Sequence, residues 1–402
     1  MASPKLRFKE FDGDWNSIAI GKFLKIKSGL GFKAEEYSTE QEIRLLQIEN
    51  VGYGAVKWTH NVKFVPTNYL DVHKDLVLKE GDLVLALNRP VTNDQLKIAK
   101  LTQEDSPSIL YQRVGKLDFL KEDIDKEFIF QIFKKDVKNY VLNSSIGSDQ
   151  PFISTTDLYK HKLCIPLKEE QTKIASFLSA VDEKINQLTQ KHELLSQYKQ
   201  GMMQKLFSQQ LRFKADDGSE FREWEEKELK DIAEINPKSK KLPESFIYID
   251  LESVEKGKLL LQKNIELQDA PSRAQRLLAK GDVLFQMVRP YQQNNYYFNL
   301  SGEYVASTGY AQIRTKLDSK FIYYALHEKT FLDEVMNRCT GTSYPAINSS
   351  DLSSIEILIP CLEEQTKIAN FLSAIDQKIE VVAQQIEQAK TWKKGLLQQM
   401  FV

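Results

Sequence analysis

One segment of this chain occurs twice. Residues Ile153 to Phe207 align without a gap with Ile347 to Phe401, and about 25 of about 55 positions are identical, far more than two unrelated stretches share. The densest part reads Glu-Glu-Gln-Thr-Lys-Ile-Ala (169–175 and 363–369), followed by Phe-Leu-Ser-Ala-(Val/Ile)-Asp-x-Lys-Ile (177–185 and 371–379). Each copy closes with Lys-x-Gly and Phe: Lys199, Gly201 and Phe207, then Lys393, Gly395 and Phe401. A chain built this way folds as one structural unit used twice.

The likeness extends weakly upstream. Gly147, Pro151 and Ile153 correspond to Gly341, Pro345 and Ile347, and Gly81-Asp82 with Arg89-Pro90 corresponds to Gly281-Asp282 with Arg289-Pro290. The opening also recurs: Leu6-Arg7-Phe8-Lys9 with Trp15 behind it returns as Leu211-Arg212-Phe213-Lys214 with Trp224 behind it. The repeated unit is therefore opening motif, variable domain, long helix. Its order is cyclic, so the start of the chain is expected to pack against the end of the second helix in a pseudo-twofold molecule. A length of 402 residues suits two domains. The division reads as 1–152 and 209–346 for the variable domains, with 153–208 and 347–402 for the helical spacers.

Within each spacer apolar residues recur at alternating steps of four and three. The first copy places Ile174, Leu178, Val181, Ile185 and Leu188 on one seam, and the second places Ile368, Leu372, Ile375, Ile379 and Val382 there. A period of 3.5 residues held over about five heptads predicts a two-helix coiled coil, and the twofold relation favours antiparallel pairing. Pro166 and Pro360 precede the helices, with acidic pairs in the first turns. At 1.5 Å per residue, a helix of about 40 residues spans about 60 Å. Lys199 and Lys393 fall on the seam, either as snorkelling lysines near a helix end or as polar residues that set register. Asp182-Glu183-Lys184 reads as a solvated helix face.

Catalytic signatures are missing. There is no phosphate-binding GxxxxGK[ST] run and no Asn-Pro-Pro-aromatic run, and Gly52-Tyr53-Gly54 is a weak hairpin signal. His60, His73, His161, His192 and His327 lack metal or triad spacing, and Cys164, Cys339 and Cys361 suit buried thiols. No apolar run approaches the roughly 18 residues of a membrane helix, so a cytoplasmic location without membrane attachment is expected. With no catalytic or cofactor-binding constellation, the chain reads as a non-enzyme.

The variable domains read as mixed α/β. Strand-like runs include Arg44 to Ile48, Gly81 to Leu87 and Phe246 to Ile249, and helix-like runs span Lys126 to Tyr140 and Ser319 to Arg338. After the Gly-Asp strand, polar loops carry Asn88, Arg89, Thr92, Asn93 and Gln95 in one half. The other half has Arg289, Tyr291, Gln292, Gln293, Asn294 and Asn295. Arginine grips guanine through two hydrogen bonds and Asn or Gln does the same for adenine, so these are candidate DNA contacts. A second pair of loops, with Ser148 and Gln150 or Thr342, Ser343 and Tyr344, suits phosphate contact or a structural turn. Lys27, Lys33 and Lys238 add local basic charge. The formal net charge of −1 fits DNA binding only if charge is locally arranged or a partner supplies it.

The order of variable domain and long helix, twice over, with Ile-Pro ahead of Glu-Glu-Gln-x-Lys-Ile-Ala, resembles the specificity subunits of type I restriction-modification enzymes. That resemblance covers the whole chain and implies an α+β fold in which two target-recognition domains are separated by an antiparallel coiled coil. It also implies that each domain reads one half of a split DNA site, in a complex with two methylation and two restriction subunits. S-adenosylmethionine, ATP and Mg belong to those partner subunits, and this chain holds no cofactor or metal. Competing expectations are a coiled-coil scaffold or orphan antirestriction protein without sequence readout, and a self-contained DNA-modifying enzyme.

Overall fold

A computed structural model describes residues 3–144, 152–238 and 241–402. It divides into two units, the first of residues 1–188 with 385–402 and the second of residues 189–384. The two long helices run Lys168–Phe207 and Leu362–Met400, and each unit contains a stretch of both. In the first unit, Ile174, Leu178 and Val181 share a core with Leu396, Met400 and Phe401. In the second, Leu206 shares a core with Ile368, Leu372 and Ile375. The paired stretches run antiparallel in each unit. Leu188 and Val382 are also buried, and Ile185 and Ile379 partly so.

The seam lysines face carboxylates on the opposite helix. Lys393 bonds to Asp182, and Lys199 lies 2.6 Å from Asp376. Asp182 also accepts from Gln131 at 3.1 Å and from Lys134 at 3.3 Å. The expected solvated face therefore needs correction: Glu183 and Lys184 are exposed, but Asp182 sits in a charge cluster. Burial alone would raise its carboxyl group, yet Lys134 and Lys393 outweigh it and hold the group below its usual range. Burial, with Lys393 nearby, pushes the Lys134 ammonium down to about 8. Of the two readings of Lys199 and Lys393, the register-setting one matches these partners.

The Glu-Glu-Gln-Thr-Lys run has a local reason in each unit. Glu170 and Glu364 are buried in the first helical turns. Arg7 grips Glu170 through two bonds of 2.8 and 2.7 Å, and Arg212 grips Glu364 at 3.2 and 2.9 Å. The indoles of Trp15 and Trp224 donate to the same carboxylates. Gln171 and Gln365 donate to the carbonyls of Pro166 and Pro360 and accept from the backbone N–H groups of Asp125 and Asp318. Those aspartates cap the helices Lys126–Phe133 and Ser319–Ala325. Trp15 also packs on Phe401, with ring centroids 6.5 Å apart, as Trp224 packs on Phe207 at 6.3 Å. With Leu6 donating to Gln399, the chain start meets the end of the second helix, as the cyclic order predicts.

The variable domains share one topology despite their different sequences. In the first, strands Leu24–Ser28, Val114–Phe119, Leu83–Ala86, Ile98–Lys100 and Tyr53–Ala55 form a sheet in that order. The second arranges Ala233–Ile235, Tyr310–Thr315, Val283–Gln286 and Tyr296–Tyr297 in the same order as the first four of these, in a sheet of four strands. A four-stranded sheet lies beside each, with one parallel pair at its centre: Ile43–Leu46 with Ser108–Leu110, and Ser245–Ile249 with Tyr304–Ser307. Leu83 and Leu85 face the helical core while Val84 and Ala86 face the second sheet's core, which explains an uninterrupted apolar strand. Gly81 and Gly281 take φ of +80° and +96° in the turn before it. Asp82 then accepts from Lys116 at 2.8 Å, and Asp282 accepts from Arg314 at two atoms, both at 2.8 Å.

Both predicted helices of the variable domains are broken. The first is Lys126–Phe133 and Asp136–Ser144, and the second is Ser319–Ala325 and Lys329–Asn337. In the second, Glu328 starts a new helix by accepting from the N–H groups of Thr330 and Phe331. Neither break carries glycine or proline.

Removing one partner of a buried ion pair leaves a desolvated charge. Glu364→Gln is expected to destabilise the second unit by about 3 kcal/mol, read as a lowered midpoint in denaturant unfolding. Replacing the exposed Lys329–Asp333 pair should leave that midpoint in place.

Candidate nucleic-acid interface

In both units the strand after the Gly-Asp turn ends in an Arg-Pro step pinned to the segment that enters the long helix. In the first unit Leu87 donates to the carbonyl of Arg113 at 2.9 Å and accepts from Ile153 at 2.8 Å, while Asn88, half-buried, bridges Phe152. In the second, Met287 donates to Gly309 at 3.0 Å and accepts from Ile347 at 3.1 Å, and Arg289 donates to the carbonyl of Pro345 at 2.7 Å. Arg89 and Arg289 have φ of 44° and 54°, a left-handed conformation that an L-residue before proline rarely adopts. The prolines are buried and Arg89 is exposed.

Beyond this step the units differ. The first forms a hairpin, Val91–Thr92 with Gln95–Leu96, whose turn residues Asn93 and Asp94 have φ of 51° and 56°. Thr92, Asn93 and Gln95 are exposed. Tyr53 and Thr92 share a 2.7 Å hydrogen bond, and Lys138 pairs with Asp94 at 3.0 Å, so the hairpin is braced at both sides. The second unit forms a single 3-10 turn, Pro290–Gln292. Tyr291 and Gln292 are exposed, and Gln293 and Asn294 half-buried.

Asn295 is buried, and its amide is spent internally. Its carbonyl accepts from Gln286 N–H at 2.8 Å and its amide lies 3.4 Å from His327 Nε2. Gln286 in turn accepts from Asn294 N–H at 3.0 Å and donates to Gln292 at 2.9 Å, while Asn294 accepts from Lys256 N–H at 3.0 Å. These amides hold the loop; Tyr291, Gln292 and the facing loop are exposed, and Arg289 is half-buried. In that loop Thr342, Ser343 and Tyr344 are all exposed, and the Arg289 guanidinium lies 4.2 Å from the centroid of the Tyr344 ring. Ser148 and Gln150, at the corresponding place in the first unit, lie outside the described residues.

The basic residues are unequal. Lys33 is exposed in a loop that crosses the 111–113 turn at Gly29, where a Cβ would run into the Tyr111 carbonyl oxygen. Lys27 pairs with Asp75 at 3.0 Å. Lys238 is exposed, just past Asn236, which donates to Ser349 at 2.8 Å and accepts from Gln312 N–H at 2.9 Å. Sequence reasoning passed over Gln112, Arg113 and Arg273. All three are exposed; Arg113 adjoins Leu87, and the carbonyl of Arg273 accepts from Thr308 at 2.8 Å. Their only signal was a position in a turn next to an apolar run.

Residues 12–196 and 222–391 match the family described as the type I restriction modification DNA specificity domain. The chain belongs to that family. A type I restriction enzyme specificity subunit of Methanocaldococcus jannaschii, MjaVIII, is 38% identical over 215 residues, which cover 52% of this chain and 49% of that protein. The EcoAI specificity subunit of Escherichia coli is 27% identical over 183 residues, 44% of this chain and 30% of that protein. The matched stretches thus span about half or less of these relatives. The fold is that of a type I restriction-modification S subunit from M. genitalium, with a TM-score of 0.62 at 17% identity over 100% of this chain and 99% of that one. A chain from a type I restriction-modification assembly gives 0.54 at 18% identity, covering 96% and 97%.

Each specificity-domain block takes in one Arg-Pro turn and the first turn of one long helix. Among the described residues no group of histidine, cysteine and acidic side chains is placed to hold a metal, and no helix is long and apolar enough to cross a membrane.

His327 supports the loop of the second domain from beneath, with its Nδ1 bonded to the Tyr323 carbonyl at 2.7 Å. Burial pushes the imidazole down to about 4. An unfolded histidine titrates near 6.5, so between these values the unfolded chain binds the extra proton. Stability of the second unit should therefore fall as pH drops from about 6.5 to about 4, by on the order of 2 kcal/mol. Unfolding midpoints across that range check this, and His327→Gln should flatten the dependence.

Proposed function

We propose that this chain is the non-catalytic DNA-specificity subunit of a type I restriction-modification complex, each variable domain reading one half of a split, asymmetric site. The observation that carries this reading is the duplicated Arg-Pro turn. Two domains with different sequences place an arginine at the same strand end, backed by the same helix-entry segment, and surround it with different polar neighbours. A shared frame with different chemistry at its tip suits two readers of two sequences. Family membership across both repeats points the same way.

Its partners are double-stranded DNA, two methylation subunits and two restriction subunits, in the cytoplasm. The four segments 1–152, 153–208, 209–346 and 347–402 act as reader, spacer, reader and spacer. The helical segments set the unread gap and seat the methylation subunits. S-adenosylmethionine, ATP and Mg serve those other subunits. A net charge of −1 is tolerable when basic side chains gather at the reading loops and partner subunits add the rest.

Co-expression with the methylation subunit of the same host should yield methylation at one bipartite sequence, read by sequencing that detects modified bases. Replacing residues 225–340 with the corresponding segment of another specificity subunit should change one half of that sequence and preserve the other. A folded complex that modifies no sequence would favour a scaffold without readout.

A further inference from the structure

Arg289 stands apart from the other polar side chains around the second unit's turn. Its backbone is fixed on three counts: a left-handed φ of 54°, an N–H bonded to Pro345 at 2.7 Å, and a buried proline following it. The residues after it are tied down by the internal amide bonds of Gln286, Asn294 and Asn295. Its side chain lies over the Tyr344 ring, 4.2 Å from the centroid, and among the described residues no acceptor engages the guanidinium. Tyr344 and Tyr291 are 63% and 51% exposed, a large aromatic surface left in water beside a cation.

A guanidinium that rests a face on an aromatic ring keeps its N–H edge free in its own plane. That edge is a fork of donors at the spacing of two acceptors. In duplex DNA the matching pair on a base edge is O6 and N7 of guanine in the major groove. A phosphate contact does not need so much preorganisation, since a flexible lysine serves as well. Backbone strain of this kind persists where the surroundings over-determine it, and it clusters at ligand-binding positions.

We infer that Arg289 reads a guanine in the half-site of the second unit, with Tyr344 as its positioning residue. This rests on the DNA-reading function proposed above. The half-site bound by the second unit then contains one guanine whose selection depends on a single side chain. Tyr344 does not touch that base's hydrogen-bonding edge; it lowers the entropy lost when the arginine binds.

The test uses the full chain in complex with its methylation subunits and a duplex library randomised across the second half-site. Wild type should select guanine at one position. Arg289→Ala and Arg289→Lys should each reduce that preference about tenfold or more, with every other position unchanged, and the lysine keeps the charge while losing the fork. Tyr344→Ala should weaken binding severalfold with guanine still preferred, and Tyr344→Phe should restore it. Thermal melting of each variant confirms folding. If the arginine variants keep all base preferences and weaken binding uniformly with a shallower salt dependence, Arg289 is a phosphate contact and the assignment is overturned. Unaltered binding by Tyr344→Ala overturns the positioning role. A wild-type complex with no sequence preference overturns this assignment together with the function on which it rests.

Discussion

A carboxylate buried at the start of each long helix sets the rest of the structure. Taking Glu170 or Glu364 out of water costs several kcal/mol unless every oxygen is met. The bidentate arginine and the indole N–H supply those partners, and they come from a segment about 150 residues away in sequence. The opening motif therefore has one place to dock. Behind it, Asn16–Ala19 pairs with Lys162–Ile165, and Glu225–Glu228 pairs with Glu356–Ile359. The chain thus enters and leaves each variable domain beside the same helix terminus, and what lies between is free to differ as long as its ends arrive there.

The content of the two domains shows how wide that freedom is. The sheets keep their strand order, their central parallel pair and their two-sided apolar strand, because these follow from which faces are covered. The side chains that satisfy the same demand change. Asp82 meets a lysine where Asp282 meets an arginine and a glutamine. Asp182 gathers two lysines and a glutamine, while Asp376 takes one lysine and the Tyr324 hydroxyl. Position and polarity are retained, and chemical identity is exchanged.

This explains what was legible in the sequence. The repeat, the heptad seam and the cyclic opening are periodic or duplicated, and periodicity survives reading one residue at a time. The helix breaks near Lys134 and Leu326 are not, because neither is marked by a glycine or proline: at the first Lys134 meets Asp182 of another helix, and at the second Glu328 caps a new helix. Asp182 looked solvated because the heptad pattern places it off the seam; its partners Gln131 and Lys134 come from another helix. At the site, Arg289 and Asn295 belong to one polar loop and are equivalent by composition. Only Gln286 and His327, one before the loop and one far beyond it, set the fully buried amide of Asn295 apart from the half-buried Arg289.

The left-handed Arg-Pro step is where frame and function meet. Such a conformation costs on the order of 1–3 kcal/mol, and a polypeptide free to relax would abandon it. It persists because the strand end is held on one side by the turn at 113 or 309 and on the other by the segment that enters the long helix. The arginine at that strained step is exposed in the first unit and half-buried in the second. The neighbours of that arginine carry none of the strain, so a hairpin in one domain and a 3-10 turn in the other are accommodated without disturbing the clamp. A turn built this way can change its exposed chemistry by substitution at the tip, while its stability resides in the base.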